Sequence, residues 1–144
     1  MNRISFSVGR SASLMGLMLC FVLAALLPFL QMRVFEQAAD FAGWQVWLAT
    51  FVIAQENDLS GFNVFPLLSL ASLLSLALVI GLLVQKVKSP QRWRIFAACM
   101  LLAYLAAPLL LQRLMSDPVV FLAGYYCGAV FHAGLLLQLW RRSA

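Results

Sequence analysis

The chain alternates between long apolar blocks and short polar ones. Near-continuous apolar runs cover residues 11–30, 64–84, 94–112 and 118–140. Each is close to the roughly 20 residues that a helix needs to cross a bilayer. Signals for helix ends fit these runs. Asn63 and Asp117 stand where caps belong, and Pro66, Pro90 and Pro118 fall in first turns, where a missing N–H costs little. The pattern predicts an all-α membrane protein: one domain, residues 1–144, of four transmembrane helices. The first run is longer than the roughly 7–15 apolar residues of a signal peptide and is read as a retained span.

Residues 31–63 break the rhythm. They contain four of the acids, Glu36, Asp40, Glu56 and Asp58, and a middle, GWQVWLATFVIA, that is too short to span. Extending it backward would bury Glu36 and Asp40 in lipid at a cost of several kcal/mol. On a helix from Val34 to Ile53 these two acids share one face, and Val34, Ala38, Phe41, Leu48 and Val52 form the other, interrupted only by Gln45. The expectation is an amphipathic interfacial helix between the first and second spans. QENDLSG follows as a loop.

Composition changes the picture in one respect. With 64% hydrophobic residues and 10% charged ones, a soluble fold of this size would lack the polar residues to cover its surface. The net charge of +5 therefore does not indicate a nucleic-acid partner, because the charges lie between apolar runs. Arg3, Arg10, Lys86, Lys88, Arg92, Arg94, Arg141 and Arg142 occupy the N-terminus, the middle loop and the C-terminus. All five acids, including Asp117, occupy the other two connections. By the positive-inside rule both termini are cytoplasmic and the acidic segment 31–63 is extracytoplasmic, as in a multi-pass protein of a bacterial inner membrane. Pro108 removes the helical bond to the Tyr104 carbonyl, so a kink is expected there.

Candidate chemistry centres on the last run. Gly124, Gly128 and His132 lie along one helix face, with Tyr125 two turns before His132 and Tyr126 beside it. An ionisable side chain in a span is a candidate site by default. His132, Tyr125 and Tyr126 are thus the candidates for binding a cofactor such as a quinone. Haem ligation by two histidines is excluded within one chain, which has one His. Cys127 is five residues from His132 and about 140° round the helix, so it cannot complete a metal site. Cys20, Cys99 and Cys127 form no CxxC pair and are read as small buried hydrophobes. Glu36 and Asp40 are read as a solvated acidic face rather than an acid–base pair.

Small residues mark contact faces: Gly16, Cys20 and Ala24 on the first span, Ser69, Ser72 and Ser75 on the second, Gly124 and Gly128 on the fourth. The fourth-span glycines are expected to meet the first-span row. No nucleotide, hydrolase or metalloprotease motif is present, and no acid lies in a span. No catalytic residue, metal or cofactor is assigned. These features favour a protein that works by contact, either as an accessory or regulatory subunit or as an immunity-type protein. Its partners are the lipid bilayer and a membrane protein or a second copy of itself. A small oligomeric transporter or channel, and a membrane enzyme or quinone-binding subunit using His132, are the competing readings.

Overall fold

A computed structural model describes residues 3–34, 37–48, 64–84, 90–114 and 118–141. Helices account for 82% of these. They are α1 (Arg3–Leu26), a short α2 at residues 43–48, α3 (Val64–Leu83), α4 (Pro90–Leu114) and α5 (Ala123–Arg141). Three strands accompany them: β1 (Pro28–Val34), β2 (Gln37–Ala42) and β3 (Val120–Phe121), in the order β2-β1-β3. Among the described residues one helix, Arg92–Arg113, is long and apolar enough to cross a membrane, which supports a membrane location. Ala12–Leu26 and Leu68–Leu83 are apolar but shorter.

The sheet corrects the expectation of an all-α chain, and it also corrects the amphipathic helix. Pro28–Val34 and Gln37–Ala42 pair as antiparallel strands, and helical structure resumes only at residue 43. Two local causes account for this. Pro28 lacks an N–H and disfavours helical conformation at Leu27, so α1 closes with the Leu27 N–H on the Leu23 carbonyl (2.9 Å) and the chain becomes extended. The second cause is Gln45, whose Oε1 accepts a hydrogen bond from the Ala42 N–H at 2.8 Å. That is the backward reach of a third-position helix residue to the capping position. The residue that interrupts the apolar face of a continuous helix is therefore the one that starts a new helix.

β1 pairs antiparallel with β2, Gln31 opposite Asp40 and Met32 opposite Ala39, and antiparallel with β3, Leu30 opposite Phe121. The pairing shifts between Pro28 and Leu30. Consecutive strand residues normally face opposite sides, yet Phe29 and Leu30 are both fully buried in one cluster. The irregularity turns both inward. The expected start of the fourth span at Pro118 is also corrected. Val120 and Phe121, β-branched and aromatic, pair with β1, the Leu122 N–H donates to the Phe29 carbonyl (2.9 Å), and α5 opens at Ala123 with the Tyr125 N–H on the Leu122 carbonyl. Gln31 Nε2 donates to Asp40 Oδ1 at 2.6 Å on the exposed side of the hairpin.

The four long helices close a ring in which α1 packs on α5, α5 on α4, α4 on α3 and α3 on α1. α5 also reaches α3 across the middle, so it touches all three of the others. Two apolar clusters fill the interior. One joins Leu14 and Leu17 of α1 to Leu78, Val79 and Leu82 of α3, Ala97 of α4, and Phe131, Leu135 and Leu139 of α5. The other joins Phe29 and Leu30 of β1 to Val46 of α2, Leu68 of α3, Tyr104 and Leu111 of α4, and Tyr125 of α5. The start of α3 and the end of α4 thus lie at one end with β1 and the start of α5. Successive helices run in opposite directions, as short connections require.

The burial pattern is inverted relative to a soluble bundle. Ser69, Ser72, Ser75 and His132 are buried. Met15 and Leu26 of α1, Leu70 of α3, Ile95, Leu102 and Leu109 of α4, and Val130 and Leu137 of α5 are exposed. Large apolar side chains facing outward from every long helix are stable where the surroundings are hydrocarbon.

Candidate functional site

The buried polar groups gather where α3, α4 and α5 meet. Ser75 is on the inner face of α3, three residues beyond Ser72 and six beyond Ser69, and all three serines are buried. Ser72 Oγ donates back to the Leu68 carbonyl at 2.9 Å, the usual way for a helical serine to satisfy itself. Ser75 reaches across instead. Its Oγ is 3.1 Å from His132 Nδ1 on α5, and the tautomer of the ring decides which of the two donates. His132 is 1% exposed, lies against the ring of Tyr104 (centroids 4.6 Å apart) and meets Phe131 edge-on at 5.2 Å. Its Nε2 is buried and has no hydrogen-bond partner among the described residues.

One helical turn toward β1 lies a second polar arrangement. Tyr104 and Tyr125 stack with centroids 5.0 Å apart and planes 11° from parallel. Tyr104 Oη donates to the Tyr125 carbonyl at 3.3 Å, and Tyr125 Oη donates to the Tyr104 carbonyl at 3.0 Å. The second bond has a cause in the sequence. Pro108 lies inside α4, which runs continuously through it, and has no N–H to offer the Tyr104 carbonyl. The Tyr125 hydroxyl takes the place of that missing donor. Phe29 packs edge-on against both rings, and Phe121 lies 4.6 Å from Tyr125.

Two glycines make room for these contacts. A Cβ on Gly128 would collide with the Tyr104 hydroxyl, and one on Gly124 would lie 2.8 Å from the Leu27 carbonyl oxygen and 3.0 Å from that of Pro28. Gly124 thus sits against the end of α1 and the start of β1, near Ala24, and Gly128 against α4. The face expected to meet the first helix alone is divided between two neighbours. A Cβ on Gly43 would collide with the Ala24 carbonyl, which places the start of α2 on the same turn of α1.

The other residues singled out from the sequence lie apart. Gly16 is exposed, with nothing within 4 Å of where a Cβ would stand. Cys20 is half-buried, and Cys20, Cys99 and Cys127 are free thiols. Tyr126 is 61% exposed, so it diverges from Tyr125 and faces outward. Asp40 is exposed on β2. Glu36, Glu56 and Asp58, the caps Asn63 and Asp117, and the loop lysines Lys86 and Lys88 lie outside the described residues, as do residues 49–53 of the expected amphipathic helix.

The sequence reading did not single out three participants. Tyr104 was visible only as the carbonyl that Pro108 deprives of a donor. Phe21 stacks on Trp47 at 5.0 Å and meets Phe131 at 5.3 Å, linking α1, α2 and α5, and Trp47 Nε1 is buried without a hydrogen-bond partner. A ring contact between distant segments has no local sequence signal. Arg94 Nε donates to the Leu139 carbonyl at 3.3 Å, and its position within a basic run concealed that role.

Chemically, the arrangement offers hydrogen bonds and aromatic surfaces. Among the described residues no three of His, Cys, Asp and Glu converge as a metal site would require. Among the described residues the long helices around His132, α1, α3, α4 and α5, contain no carboxylate. Comparison with known proteins adds no likeness: no family model, no curated protein and no solved structure matches the chain.

Proposed function

We propose that this chain is a small four-span protein of a bacterial inner membrane, with both termini cytoplasmic, that works by contact with another membrane protein. It would act as an accessory or regulatory subunit, or as an immunity-type protein that occupies its target. The observation that carries this reading is where the polar groups go. The Tyr104 and Tyr125 hydroxyls bond each other's main chain, Ser72 bonds its own helix, and Ser75 bonds His132. The interior is committed to holding helices together. What is turned outward is apolar side chains and the open surface at Gly16.

Supporting the orientation, the helices alternate in direction, so Arg10, Arg92, Arg94 and Arg141 fall toward one end and the strand with Asp40 toward the other. Photo-crosslinking in intact membranes tests the role directly. A photoreactive side chain in place of Gly16 is expected to give one discrete protein adduct. Adducts with lipid only, at Gly16 and at outward positions such as Leu102 and Val130, defeat the contact reading.

One observation favours a second reading. His132 Nε2 is buried with no partner among the described residues, which is what a donor kept for a small ligand, such as a quinone carbonyl, would look like. A quinone that stays with the purified chain and is lost in His132→Ala supports this reading. A ligand-free preparation that retains biological activity as His132→Ala removes it.

A further inference from the structure

Arg94 is held rigidly at the end of the bundle where α4 begins and α5 ends. Its Nε donates to the Leu139 carbonyl at 3.3 Å, and its guanidinium carbon lies 5.3 Å from the centre of the Trp140 ring. Leu139 is in the last turn of α5, where carbonyls call for donors from outside the helix, and Arg94 supplies one. That bond uses one of the five N–H donors of the guanidinium. Arg92 stands two residues before Arg94, Arg141 two residues after Leu139, and both are exposed, as are Trp93 and Trp140.

Among the described residues no carboxylate on α4 or α5 stands beside these arginines. The sequence has no Asp or Glu before Glu36, between Asp58 and Asp117, or after Asp117. Every long helix that meets at this end is therefore free of acids. An arginine fixed between two helix ends, with exposed arginines on the same end turns and tryptophans that favour the interface, is an arrangement that binds anionic headgroups. An arginine already fixed by a carbonyl and an indole face loses little further freedom when it binds a phosphate.

We propose that this end of the bundle binds the phosphate headgroup of an anionic phospholipid, with Arg94 as the fixed cation, Arg92 and Arg141 beside it, and Trp93 and Trp140 at the level of the glycerol. The proposal rests on the membrane embedding inferred above and is independent of the contact role.

The test is native mass spectrometry of the full chain in mild detergent with equal amounts of phosphatidylglycerol and phosphatidylethanolamine. The wild type is expected to retain phosphatidylglycerol several-fold over the zwitterionic lipid. Arg94→Gln combined with Arg141→Gln is expected to abolish that preference. Arg113→Gln, an exposed arginine at the opposite end of α4, should leave it intact. If loss of the Leu139 bond prevents folding, Arg92→Gln with Arg141→Gln carries the same test. Equal retention of the two lipids by the wild type, or equal loss of preference in Arg113→Gln, overturns the proposal. Displacement of the lipid by inorganic phosphate alone reassigns the site to soluble phosphate and overturns it too. A chain that stays in solution without detergent overturns the membrane reading itself, a different failure.

Discussion

The Tyr125 hydroxyl and the Tyr104 carbonyl are 3.0 Å apart, and the bond between them supplies the donor that Pro108 withholds from α4. Tyr125→Phe keeps the stacked ring and removes this donor, leaving a buried carbonyl unsatisfied. The expected loss of stability is about 1–3 kcal/mol, read as a lower midpoint of thermal unfolding in detergent. Pro108→Ala restores a main-chain N–H four residues after Tyr104, so the double variant should recover part of the loss. Additive losses would show that the carbonyl is not the group Tyr125 serves.

Gly128→Ala and Gly16→Ala make a matched pair. A methyl at Gly128 collides with the Tyr104 hydroxyl, whereas one at Gly16 meets nothing. Overpacking at the first site is expected to cost about 1–3 kcal/mol. The second change should be neutral or stabilise by up to about 1 kcal/mol through helix propensity. If the contact role is right, bulkier residues at Gly16 leave the unfolding midpoint unchanged while reducing the crosslinked adduct.

How far these features could be read beforehand depends on their range. The four apolar helices follow from local patterning, and Pro108 marked the Tyr104 carbonyl because a missing N–H acts at a fixed spacing. What supplies the replacement donor is a residue 21 positions away, and no local pattern specifies it. The hairpin was missed for a related reason. Residues 34–53 have a passable helical face, but the third strand that fixes β1 comes from residues 120–121, and pairing over that separation overrides local preference. Gln45 was read as a flaw in a face when it is a cap, a distinction that turns on where the helix begins.

Ser75→Ala and His132→Ala each break the same bond between α3 and α5. Their effects on thermal stability should not add, with the double variant milder than the sum by about 0.5–3 kcal/mol. Strict additivity would show that the two side chains do not depend on each other.

Gln45→Leu improves the apolar face of a hypothetical continuous helix and deletes the acceptor for the Ala42 N–H. The expected result is a loss of about 0.5–2 kcal/mol, with faster amide exchange confined to residues 42–48. Slower exchange across residues 34–48 would indicate the continuous helix instead.

The position of α5 has a consequence for synthesis. It follows α1, α3 and α4 in the chain, and among the described residues it packs on all three. Until it arrives, Ser75 lacks its histidine and the Tyr104 carbonyl lacks its hydroxyl. A nascent chain halted before α5 therefore leaves these polar groups without the partners that satisfy them. Arrival of α5 and burial of the polar seam are the same event, so one late element closes both buried polar arrangements.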